Sequence, residues 1–164
     1  MNNELHKLFL DELADIHYAE KQLVKTLPKL AKAANSPELK QAFEEHLKQT
    51  ETHVERIQKV FAAVDAPVKS KKCEAMEGLI QEGKDLMEEH EDSEALDAAL
   101  ISAAQKVEHY EIASYGCLHT WAVQMGHTKA AQILQMTLDE EKKADETLTC
   151  IAEESANLVA ENAK

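Results

Sequence analysis

Apolar residues recur along this chain at the spacing of three and four that marks one face of a helix, in four long stretches and one short one. The first stretch, about residues 4 to 34, carries Leu5, Phe9, Leu13, Ile16, Leu23, Leu27 and Leu30. It stops at Asn35-Ser36-Pro37, where Ser36 suits an N-cap and Pro37 a first helical turn. A second helix follows, about 36 to 64, with Leu39, Phe43, Ile57, Val60 and Val64 on its stripe. The short connection predicts an antiparallel hairpin. Residues 65 to 95 read as a crossover holding one short amphipathic helix, CEAMEGLIQEGKDLMEEH. A third long helix, about 96 to 125, ends at Gly126, a residue suited to the left-handed conformation past a helix C-terminus. The fourth, about 128 to 160, closes a second hairpin. The pattern predicts an all-α, antiparallel four-helix bundle with one long crossover, a single domain over residues 1 to 164.

Each long stripe is interrupted by ionisable or polar residues where apolar ones are expected. Glu20 continues the first stripe, His46, Thr50 and His53 the second, Glu108, Glu111 and Tyr115 the third, and Glu141 and Asp145 the fourth. Glu20 and Thr50 lie about 15 residues either side of the first hairpin turn, and Glu111 and Glu141 about 15 either side of Gly126. At about 1.5 Å per residue both sets are roughly 22 Å from their turns. All four helices can therefore contribute to one layer at mid-height.

Composition fits long helices: four Gly and three Pro in 164 residues leave few breakers. A net charge of -13 repels nucleic acid and anionic membrane surfaces, so neither is an expected partner. The opening MNNELHKLFLDEL carries charges where a secretory signal would need an apolar run, which makes a cytoplasmic location the expectation. Cys73, Cys117 and Cys150 are widely spaced and form no CxxC pair, so reduced, mostly buried thiols are expected.

The sign of the charge matters most inside. Five buried carboxylates would each cost several kcal/mol if ionised and unpaired, and no Lys or Arg occupies the same stripe positions. A multivalent cation removes that difficulty. Glu108 with Glu111, and Glu141 with Asp145, project from one face on successive turns and can clamp one ion or bridge two. Oxygen donors with imidazole suit iron or manganese, leave zinc open and disfavour calcium.

LADIHYAEKQL, AFEEHLKQTETHVERI, CEAMEGLI, AAQKVEHYEIASYG and TLDEEKKADETLT together resemble the YciF stress-protein family of the ferritin-like superfamily, over nearly the whole chain. That fold is similar to rubrerythrin and bacterioferritin, whose bundles hold two iron ions between glutamates and histidines. The resemblance implies a ferritin-like bundle with a carboxylate-bridged pair of metal ions, most simply iron. It matches Glu20 to the first-helix ligand, Glu108 and Glu111 to a Glu-x-x-Glu on the third helix, and Glu141 and Asp145 to the ligand pair of the fourth, with Asp in place of His. The second helix departs: Thr50-x-x-His53 stands for Glu-x-x-His, and Gln49 and His17 replace a Glu and an aromatic residue of YciF relatives. His46, Gln49 and His53 are the ligand candidates there. His17, Thr50 and Tyr115 are expected to stand around the ligands. The resemblance further implies a stress-linked homodimer meeting dioxygen or peroxide as a di-iron oxidase or peroxidase. The rival expectation is a dimeric helical structural protein with a metal-free polar core.

Overall fold

The protein is described by a computed structural model covering residues 3–163; the extreme ends of the expected domain, residues 1, 2 and 164, lie outside the described residues. Its first helix, α1, spans Glu4–Ala33 and is capped by Asn3, whose side chain accepts from the His6 amide at 2.8 Å. α2 spans Pro37–Ala63. Ser36 caps it, Oγ accepting from the Leu39 amide at 3.0 Å, and Pro37 fills the first turn where a missing N–H costs nothing. The buried Asp97 carboxylate accepts the Asn35 and Ser36 amides at 2.8 Å each, placing an anion beside the positive end of α2.

α3, Glu74–Glu89, lies between α2 and α4 in the chain, and α4, Leu96–Gln124, carries Asp97 in its first turn. Gly126, with φ of 74°, makes the turn into α5, Thr128–Ile151. The final helix is not uniform: α5 passes through a π-helical turn, Ala152–Ala156, into α6, Asn157–Asn162. α1 packs along α2 and α4 along α5; α2 also packs on α5 and α1 on α4. α3 lies against α4 and touches α1. Among the described residues there is no strand, and no helix is long and apolar enough to cross a membrane.

The core is built from the stripes, with Phe9, Leu13, Phe43, Ile57, Leu118 and Leu134 fully buried. The crossover is pinned to that core by polar contacts. Lys71 donates its amide to the Ala14 carbonyl at 3.0 Å, and His17 Nδ1 donates to the Lys69 carbonyl at 2.9 Å. Tyr18 donates to Glu77 at 2.5 Å, and Tyr110 donates to Asp15 at 2.7 Å while lying 3.0 Å from Cys73 Sγ. Cys73 itself caps α3 through its sulfur. The expectation of mostly buried thiols fails for the other two: Cys117 and Cys150 sit on outward faces and are exposed.

Candidate metal centre

Midway along the long helices the core turns polar. Glu20 of α1, His53 of α2, Glu111 of α4 and Glu141 of α5 are all 0% exposed, and His46 and Glu108 are nearly so. They converge because each continues an apolar stripe, so the packing that buries the leucines above and below buries them too.

The donors form two groups. His46, Glu108, Glu111 and Glu141 offer atoms within 4.8 Å of one another, and so do Glu20, His53 and Glu141. Glu141 belongs to both. His46 Nε2 lies 3.1 Å from Glu108 Oε1 and 3.6 Å from Glu141 Oε2; His53 Nδ1 lies 2.9 Å from Glu141 Oε1 and 3.3 Å from Glu20 Oε1. These contacts are close in distance but lack hydrogen-bond direction. His46 Nε2, His53 Nδ1, Glu20 Oε2, Glu108 Oε2 and both oxygens of Glu111 and of Glu141 are buried without a hydrogen-bond partner. So many unpartnered lone pairs aimed at one space are what a cation would satisfy, and this buried group of histidine and glutamate could hold a metal ion.

Without a cation the layer must hold protons instead. Burial, reinforced by Glu141 and Glu20, pushes the Glu111 carboxyl well above its ordinary range. Burial and the Glu108 charge do the same to Glu141. Glu108 rises to about 7, again chiefly through burial. Burial pulls the His53 imidazolium down, but its contacts with Glu141 and Glu20 outweigh that and raise it to about 11.

The histidines are aimed from outside the layer. His53 Nε2 donates to Glu140 Oε2 at 2.7 Å, so its Nδ1 faces Glu141 and Glu20. Glu140 is in turn gripped by Arg56, with Nη1 at 2.6 Å from one oxygen and Nη2 at 2.9 Å from the other. Burial would raise Glu140, yet Arg56 and His53 hold it below the usual carboxylate range. His46 Nδ1 donates to Gln49 Oε1 at 3.2 Å, which turns Nε2 inward. Metal-bound histidines characteristically donate the second ring nitrogen to such an acceptor.

The other expected site residues fall around this set. Gln49 is placed on the outer nitrogen of His46, not among the donor atoms. Asp145 lies near enough to raise the Glu108 pKa; its Oδ2 meets the exposed His109 at 3.2 Å, its Oδ1 is buried without a hydrogen-bond partner, and it joins neither donor group. Thr50 is buried with its hydroxyl donating to the His46 carbonyl at 2.9 Å. Tyr115 is buried and donates a short hydrogen bond to Glu20. His17 faces the crossover and packs edge-on against Phe61, apart from both groups. Glu140 and Arg56 were not indicated by the stripes. Only their opposite charges, at heights matching Glu141 and His53, could have signalled them.

A sequence profile described as a domain of unknown function, DUF892, matches residues 4–161. The chain belongs to the DUF892 family. Protein YciF of Escherichia coli K12 is 49% identical over 159 residues, spanning 96% of this chain and 96% of that protein. The crystal structure of the E. coli stress protein YciF superposes with a TM-score of 0.90 at 48% identity, over 96% of this chain and 99% of that one. YcfI from Rhodopseudomonas palustris gives 0.87 at 39% identity, over 90% and 94% of the two chains. A Xanthomonas campestris protein at 21% identity, with a TM-score of 0.74 over 97% of each chain, shares the fold alone. The YciF resemblance carried by stretches such as AAQKVEHYEIASYG thus extends over almost the whole of this DUF892 chain.

Proposed function

We propose that this DUF892 protein is a ferritin-like four-helix bundle whose mid-height layer holds a carboxylate-bridged pair of metal ions, iron before manganese or zinc, in a cytoplasmic homodimer. The observation that carries the reading is that two buried donor groups share Glu141. One carboxylate common to two groups can lie between two cations.

Charge supports the same count. Glu20, Glu108, Glu111 and Glu141 together carry four negative charges when ionised, which two divalent ions neutralise. His46 and His53 supply the imidazoles, and their outward N–H groups on Gln49 and Glu140 fix which nitrogen faces in. Tyr115 holds Glu20 in place through its hydroxyl. When bound, iron would supply reversible one-electron chemistry toward a small oxidant such as dioxygen or peroxide. The stress-linked part of the reading rests on similarity to E. coli YciF, which is described as a stress protein.

The test is metal analysis of protein purified after iron supplementation, with absorption spectra before and after peroxide. The reading requires bound iron and a peroxide-dependent spectral change, both lost in Glu111→Ala. Near-zero metal, with Glu111→Ala leaving stability and spectra unchanged, would leave the structural alternative, in which protonated carboxylates set helix register. Sedimentation over a range of concentrations tests the dimer.

A further inference from the structure

Two cavities reach the polar layer, and both are lined in part by His46 and Glu108. One lies between α2 and α5, measures about 250 Å³, and is walled by Glu45, Gln49, Lys143 and Thr147. Water and ions suit it. The other lies under α3, between α1 and α4, and measures about 80 Å³. Leu27, Leu79, Ile80, Ala104 and Val107 line it, and Lys29 and Lys84 stand at exposed positions on its edge. Thr26, a polar residue of its wall, already spends its hydroxyl on the Gln22 carbonyl at 2.9 Å.

Inside the lysines at its edge, such a wall offers no hydrogen bonds beyond the two site residues themselves. Water entering it past the lysines would lose partners, and an apolar wall of this kind favours small apolar molecules over water. Hydrogen peroxide carries two O–H donors and would lose several kcal/mol of hydration there. Dioxygen has no donor to strand, and a diatomic molecule is close in size to one water, whose share of liquid volume is about 30 Å³. The cavity has room for it beside His46 and Glu108.

We propose that the cavity under α3 is a dioxygen-binding site opening onto the polar layer, separate from the polar mouth between α2 and α5. Occupancy of the cavity is independent of any metal; its use in oxidation rests on the function proposed above. α3 is what creates the site. It covers a face of α1 and α4 with leucine, isoleucine and methionine, and Gly83 lets it approach so closely that an added Cβ would sit 3.3 Å from Ala103 Cβ.

The test uses metal-free protein with isotope-labelled methyl groups, under dissolved dioxygen and separately under xenon. Dioxygen is paramagnetic and should speed relaxation of the Leu27, Leu79, Ile80 and Val107 methyls several-fold more than that of Leu13, Leu118 and Leu134. Xenon should shift the same signals. Ala104→Leu, or the smaller Ala104→Val if leucine unfolds the chain, should abolish both effects. Equal effects at cavity and control methyls, or effects that survive filling, would overturn the proposal. In iron-loaded protein the same substitution should slow oxidation by air at least several-fold and leave oxidation by added peroxide unchanged. Equal slowing of both, or of neither, would also overturn it. Absence of bound iron would sink the metal reading and leave the methyl experiment able to decide the cavity.

Discussion

His53 Nε2 sits 2.7 Å from Glu140 Oε2, and that one contact turns the opposite ring nitrogen toward Glu141 and Glu20. Arg56 keeps Glu140 ionised, with each guanidinium nitrogen on a different carboxylate oxygen, so Glu140 holds the Nε2 proton whether Nδ1 is protonated, as in the metal-free chain, or faces a metal ion. The orientation of a buried donor is thus set from a partly buried ion pair between α2 and α5.

Glu140→Gln removes that charge while keeping the shape. Metal affinity should fall about tenfold or more, the usual effect of losing an outer partner of a metal-bound histidine. A competition titration against a chelator measures it. Unchanged affinity would mean that His53 does not ligate.

Asp145→Ala should leave metal stoichiometry unchanged, because the carboxylate meets His109 through Oδ2 and lies outside both donor groups, although its Oδ1 is buried without a partner. Gln49→Ala should keep the stoichiometry and weaken affinity, since Gln49 touches only the outer nitrogen of His46. Loss of one equivalent of metal in Asp145→Ala would restore it as a ligand.

These residues show what the chain made legible. Stripe continuation by threes and fours led to Glu20, His46, His53, Glu108, Glu111 and Glu141, because the periodicity that buries leucine also buries whatever replaces it. The all-α class and the Ser36 cap followed from the same local chemistry. Gln49 stands three residues, about 300°, from His46, and so about 60° off the stripe. That is enough to place its amide behind the imidazole. Arg56 stands in the same relation to His53, and Glu140 is next to Glu141 on its helix, but their partnership exists only because α2 packs on α5. The π-helical turn, Ala152–Ala156, depends likewise on packing that no single-helix pattern carries. Cys117 and Cys150 instead lie off the stripes of their helices, so periodicity places them outward, and the general tendency of free cysteine to be buried misleads there.

The polar layer of the metal-free protein should contribute less stability as pH rises from about 4.5 toward 7. Glu108 is raised to about 7 in the folded chain, so the folded state binds its proton more tightly than the unfolded state does. Its contribution is complete below about 4.5, the ordinary value, and is lost as pH passes through about 7. Glu111 and Glu141 act in the same direction. The raised His53 adds stability that is complete below 6.5 and lost only through about 11. Thermal melts of the metal-free protein between pH 4.5 and 7.5 check this. Rising stability over that window, in a variant-matched comparison with Glu108→Gln, would contradict it.

Metal should reverse the trend. Binding displaces those protons, so affinity should strengthen with pH and proton release should accompany loading. A ligand present at 100 times its Kd stabilises by about 2.7 kcal/mol, and for a domain of this size that raises Tm by several degrees. Chelator should abolish the increment. Equal melting curves with and without chelator, for demonstrably loaded protein, would contradict native-state binding.

Anaerobic titration of the metal-free protein with ferrous iron decides whether two ions share Glu141. About two equivalents should bind per chain, with both lost or severely weakened in Glu141→Ala and the fold retained by circular dichroism. No binding by the parent chain, or two equivalents bound undiminished by Glu141→Ala, would contradict it.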